Sequence, residues 1–225
     1  MGSFTGFGKQ ALPFFKGIAF HQNKAWFDEN RAIYDRDFVE PMIALLDDLT
    51  ERFAKARIPL KADGKRSMFR LNRDIRFSKD KSPYKTHGGA VMTRSGSKSD
   101  NGLLYIHIDP EGCFVAAGFY MPEPGDLAKL RKAVTASSGK KYRAVESALR
   151  KGELELGHFD QLTRVPKGFE KLKDGPLDGA IRLKSFIVEE KLPQKLIGTS
   201  RMTDAIFDFA KRSMPLLKFG WTALE

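Results

Sequence analysis

The chain of 225 residues has a single cysteine, Cys113, so it can form neither an intramolecular disulfide nor a multi-cysteine zinc site. No apolar run approaches the roughly 20 residues that a membrane-spanning helix needs. The opening Met-Gly-Ser-Phe-Thr-Gly lacks the charged and apolar stretches of a secretory signal. Gly6 stands where a myristoylation signal requires Ser or Thr. These absences predict a soluble cytoplasmic protein with no membrane attachment. Gly-x-Gly-x-x-Gly and the P-loop pattern are missing, as are His-x-x-x-His and His-Glu-x-x-His. Without Gly-x-Ser-x-Gly there is no nucleophile elbow for a serine triad.

Positive charge is in excess and unevenly spread. Lysine and arginine number 39 against 28 acidic residues, a net +11. Between Lys61 and Lys85 lie nine basic and three acidic residues, so 25 positions hold +6 of that total. Such a concentration draws anions and can bind phosphate backbones. A solvated loop with ordinary solubilising charge would have the same composition.

Hydrophobic periodicity orders the rest. Phe14, Phe15, Ile18 and Phe20 crowd one short stretch, and Asn23 is placed to cap a helix carrying Trp26, Phe27, Ile33 and Tyr34. A longer helix is expected to open at Asp37 or Phe38, with Pro41 tolerated only in its first turn. Phe38, Met42, Leu45, Leu46, Leu49 and Phe53 repeat at the spacing of one helical face. Ser67–Leu71, Gly89–Thr93, Leu103–Asp109, Cys113–Tyr120 and Ser185–Glu190 read as strands. Asp109-Pro110-Glu111-Gly112 reads as a hairpin turn, and residues 95–102 as a polar loop or lid. Helices follow Pro124 and Tyr142. Thr203 is expected to cap a final helix, and Pro215 to begin a further element. Helices, hairpin strands, then helices again predict α+β, with a mainly antiparallel central sheet and helices from both chain ends packed against it. A single domain over 1–225 is expected: helical at 8–56, strand-rich at 67–121, then helices and one strand at 125–224.

The densest chemistry lies at 70–85. Arg70, Arg73, Arg76, Lys81 and Lys85 recur every three to five residues, with Asp74 and Asp80 among them and Phe77, Pro83 and Tyr84 as anchors. Arginine forks match carboxylate and phosphate oxygens in bidentate pairs. Pro83 holds Ser82 extended, so Asp80 to Tyr84 reads as a defined turn. The competing reading is a closed network of arginine, aspartate and tyrosine that locks the loop, but the cations outnumber the two aspartates.

Residues 73–85 read Arg-Asp-x-Arg-Phe-x-x-Asp-Lys-x-Pro-Tyr-Lys, with Arg70 ahead. This resembles the hallmark of an uncharacterised bacterial and fungal domain-of-unknown-function family. Asn23, Trp26, Phe27, Arg31 and Tyr34 resemble its opening stretch. Tyr105 to Tyr120 resembles its hairpin, and Pro124, Leu127 and Arg131 mark a similar following helix. The resemblance covers nearly the whole chain and implies a full-length fold without implying an activity.

The expected ligand-binding residues are Arg70, Arg73, Arg76, Lys81, Tyr84 and Lys85, acting on a phosphate- or carboxylate-bearing small molecule, a nucleotide or a nucleic acid. The alternatives are an enzyme acting on a phosphate-containing substrate by hydrolysis or phosphoryl transfer, and a protein-interaction or structural module. An enzyme would draw its general acid or base from Asp74, Asp80 or His107. Tyr105 shares a strand face with His107, and His87 is a weaker candidate. Asp74, Asp80 and His87 together could hold Mg²⁺ or Mn²⁺, but the surrounding cations oppose it, so no metal site is expected. No cofactor is indicated. Cys113, on a strand, reads as core.

Overall fold

In the computed structural model, residues 3–76, 79–157 and 160–225 are described. The first helices follow the apolar spacing. They are α1 (Ala11–Phe20), α2 (Lys24–Tyr34) and α3 (Glu40–Lys55). Asn23 caps α2 by accepting a 2.9 Å hydrogen bond from the Trp26 amide. Phe38, Met42, Leu45, Leu46, Leu49 and Phe53 are all buried. Each such side chain contributes about 1.5–3 kcal/mol of burial free energy.

The expected helix start at Asp37 or Phe38 is corrected. Helical backbone continues from α2 into α3 through a π turn at Asp35–Val39, where the Glu40 amide donates to the Asp35 carbonyl. Pro41 has no N–H to offer the carbonyl of Asp37. That carbonyl accepts from the Gly8 amide at 2.9 Å instead, so the missing donor is replaced from outside the helix.

The strands are β1 (Gly88–Thr93), β2 (Leu103–Ile108), β3 (Cys113–Phe119) and β4 (Phe186–Leu192). They form one antiparallel sheet in the order β1-β2-β3-β4. In β2 burial alternates: Leu104, Ile106 and Ile108 are buried, while Leu103, Tyr105 and His107 are half-buried on the other face. Cys113 is buried as expected. The expected strand at 67–71 is corrected. A 3-10 turn covers Gly64–Ser67, and only single bridges tie the segment to β1, at Lys61 with Thr93 and Met68 with Ala90.

The later helices are α4 (Pro124–Thr135), α5 (Lys140–Lys151), α6 (Asp178–Arg182), α7 (Gln194–Ile197) and α8 (Arg201–Leu224). Two expectations about α8 are corrected. Thr203 lies inside the helix and does not cap it, and Pro215 sits in its interior. The apolar face that buries Met202, Ile206, Phe209, Met214, Leu216 and Leu217 continues past the proline, so packing outweighs the local penalty. The helical order on either side of the strands makes the fold α+β. Among the described residues no helix is long and apolar enough to cross a membrane.

By contact density the chain divides into two units. The first comprises 1–100, 105–115 and 191–208. An aromatic cluster fills part of its interior: Tyr34 stacks on Phe38 at 5.5 Å, and Phe15 meets Phe38 edge-on at 5.0 Å. The second comprises 101–104, 116–190 and 209–225. There Arg131 donates to the carbonyls of Ile181 and Leu183 at 2.8 and 2.9 Å, closing the C-terminal end of α6. Arg212 joins Glu190 and the Gly152 carbonyl.

Candidate functional site

Every residue of the candidate site belongs to the first unit. The segment before the basic loop runs along β1: Lys61 exchanges two backbone hydrogen bonds with Thr93, and the Phe69 amide donates to the Gly89 carbonyl. The loop then closes on itself. The Arg73 amide donates to Pro83 and the Lys85 amide to Leu71, each at 2.8 Å, around a bridge between Asn72 and Tyr84. The Tyr84 amide donates to Gln22 Oε1, and its ring lies 5.1 Å from that of Phe27. Residues 70–85 therefore leave and return at one point. Phe77 lies outside the described residues.

The six expected ligand residues separate into two groups. Some hold the loop. Arg76 pairs with Asp74 at 2.8 Å, and Lys81 donates to the Ile75 carbonyl at 2.8 Å. Asp80 accepts from the Ser82 amide and pairs with Arg73. The Arg76 contacts hold Asp74 below the usual carboxylate range. Asp80 is lowered by its bonds to Ser82 first and by Arg73 second. Both carboxylates are thus ionised and engaged by their own motif. Neither is among the residues gathered around His107.

The remaining cations gather elsewhere. Lys85 is half-buried, with its ammonium 5.4 Å from the centre of the Phe69 ring. Lys98, from the polar loop, lies 5.6 Å from the same ring and donates to the Met68 carbonyl. Burial lowers the Lys85 pKa, and Arg70, Arg73 and Lys98 lower it further. Among the described residues, none of the ion pairs includes Arg70, Lys85 or Lys98. Arg73 pairs with Asp80 and reaches the Tyr84 carbonyl at 3.4 Å, yet its buried Nε has no hydrogen-bond partner among the described residues. Arg70 also lines a cleft of about 470 Å³ with Phe27, Arg31, Tyr34, Asn72 and Tyr84. Residues from the two motifs at 23–34 and 70–85 therefore meet at one opening. No residue of α2 is fully buried: Phe27 lines the cleft, while half-buried Trp26 packs on α1 against Phe14 and Gly17.

Beside the cations lies a second cluster, on the half-exposed sheet face. The Tyr105 hydroxyl is 2.8 Å from His107 Nδ1. Nε2 of His107 is 3.5 Å, and Nδ1 of His87 3.9 Å, from Asp109 Oδ2. The two imidazoles stand 4.5 Å apart, and Phe114 stacks on His107 at 4.4 Å. Burial, with His87 adding to it, pushes His107 down to about 4 against the opposing pull of Asp109. Burial also lowers His87, with Lys85 and Arg73 adding to the effect. Both rings are neutral near pH 7.

Lys98, Phe69, Asp109 and Phe114 were not legible as site residues. Asp109 reads as a turn former, although Tyr105-x-His107-x-Asp109 has the period of one strand face. Lys98 is indistinguishable in sequence from any loop lysine.

A cationic group beside a His-His-Asp cluster, on the sheet of an α+β fold, defines a basic protein with a polar, charge-bearing site. Residues 10–219 match the DUF2461 family, described as a conserved hypothetical protein, and the chain belongs to that family. No curated protein and no solved structure matches it.

Proposed function

We propose that the protein binds a phosphate- or carboxylate-bearing small molecule through Arg70, Arg73, Lys85 and Lys98. The observation that carries this reading is the gathering of Lys85 and Lys98 on one phenyl ring, with no carboxylate among the described residues paired to either. Like charges held together cost free energy, and a bound anion removes that cost. Phe69 supplies an apolar platform beneath the ammonium groups, and Arg70 extends the charge toward the cleft. Arg76 and Lys81 act here through the shape of the loop, since their head groups are spent on Asp74 and the Ile75 carbonyl.

Calorimetric titration with inorganic phosphate and with nucleoside mono-, di- and triphosphates tests the proposal. Lys85→Ala and Arg70→Ala are expected to weaken binding at least tenfold, with affinity falling as salt rises. Arg76→Ala is expected to stay within about threefold, because it touches the loop and not the ligand. Equal losses in all three variants, or salt-independent binding, would remove this cluster from the account.

A second reading, an enzyme acting on a phosphate-containing substrate, is favoured by one observation. Neutral His107, hydrogen-bonded to Tyr105, stands beside His87, on which Lys85 and Arg73 act electrostatically. A proton carrier next to an anion site is the arrangement that hydrolysis or phosphoryl transfer uses.

A further inference from the structure

We propose that Nδ1 of His87, Nε2 of His107 and Oδ2 of Asp109 form a binding site for one divalent first-row transition metal ion. One ligand atom from each of the three residues lies within 4.8 Å of the other two. At 3.5 and 3.9 Å, the two nitrogen-to-carboxylate separations are longer than good hydrogen bonds. A closed imidazole-carboxylate network would draw in to roughly 2.7–3.0 Å. Ligands about 2.1 Å from a shared ion stand about 3.0–3.4 Å apart in octahedral or tetrahedral geometry. Around an ion the His107 separation needs to shorten by about 0.1–0.5 Å and the His87 separation by about 0.5–0.9 Å, while the two imidazole ligand atoms, within 4.8 Å of each other, draw in by at most about 1.8 Å.

The supporting contacts have the form that metal sites require. Metal-bound imidazoles are oriented by a partner on the other ring nitrogen. Tyr105 supplies that partner to Nδ1 of His107, which leaves Nε2 toward Asp109. Phe114 stacks on the same ring and limits its rotation. His107 lies in β2, Asp109 follows it directly, and His87 immediately precedes β1, so ordered backbone holds all three. Three protein ligands leave coordination positions open, as catalytic sites do. Two nitrogens with one carboxylate favour zinc, iron, manganese or cobalt over magnesium or calcium. Lys85 and Arg73 nearby disfavour a bare dication. Their charge also places any anionic ligand where an oxygen can complete the metal's coordination.

The site stands or falls without the anion proposal, because it can be measured with metal alone. The full-length protein is stripped with a chelator, dialysed into phosphate-free buffer and titrated with Zn²⁺ and Co²⁺. One equivalent is expected to bind, and Co²⁺ to develop visible d–d absorption. His107→Ala and Asp109→Asn are expected to weaken Zn²⁺ at least 100-fold, and Tyr105→Phe about 10- to 100-fold. Circular dichroism checks folding. If His107→Ala does not fold, Asp109→Asn and Tyr105→Phe decide. Absence of saturable 1:1 binding, or wild-type affinity in the folded variants, overturns the proposal.

Discussion

The bare backbone at Gly89 lies directly against the side chain of Tyr105: a Cβ there would stand 2.7 Å from the hydroxyl and 2.8 Å from the ring. The missing methyl is the space that Tyr105 occupies when it reaches His107.

Gly89→Ala is therefore expected to destabilise the protein by about 1–3 kcal/mol, as overpacking does. It should also displace Tyr105 from His107. Urea unfolding reads the first effect and the His107 ring resonances the second. Combined with Tyr105→Ala, the two losses should sum to more than the double variant shows, because removing the ring relieves the collision. Strict additivity would disprove the contact.

Tyr34 provides the pH-dependent prediction. Burial, aided by Asp35, raises its phenol from 10.0 to about 12. A group raised in the folded state contributes stability that is complete below its unfolded pKa and is lost as pH climbs through its folded one. The window is thus pH 10 to 12. Tyr34 is half-buried, so the loss should be on the order of 1–2 kcal/mol. Tyr34→Phe keeps the ring contacts and should flatten this part of the alkaline stability curve relative to wild type. Parallel curves would refute the assignment.

Pro215 interrupts the hydrogen-bond ladder of α8, which its neighbours nonetheless continue. Pro215→Ala restores a donor and relieves the ring's clash with the preceding turn, so it should raise stability by about 1–3 kcal/mol in denaturant titrations. A loss of stability would mean that the pyrrolidine ring packs more favourably than the helix suffers.

How much of this was legible varies with the range of the interaction. The Phe38 to Phe53 face and the β2-β3 hairpin follow from spacing alone, and both are buried as their periods require. The π turn was not legible, because it depends on Gly8 supplying a donor to Asp37 from far along the chain. Pro215 misleads for a related reason: local sterics argue for a boundary, and a continuous apolar face overrules them. In the basic loop, sequence located the charge but could not say which arginine each aspartate would take. Asp74 took Arg76 and Asp80 took Arg73, which left Arg70 and Lys85 outside these pairs. His87 and His107 are separated by a strand and a loop, so no local motif announces their meeting.

The backbone from Lys61 to Phe69 follows the outer side of β1 and occupies amides and carbonyls there. An uncovered strand margin invites pairing with other molecules. The stretch that carries the chain into its cationic loop thus also guards against self-association. Anything that prised it loose would bare a template for aggregation.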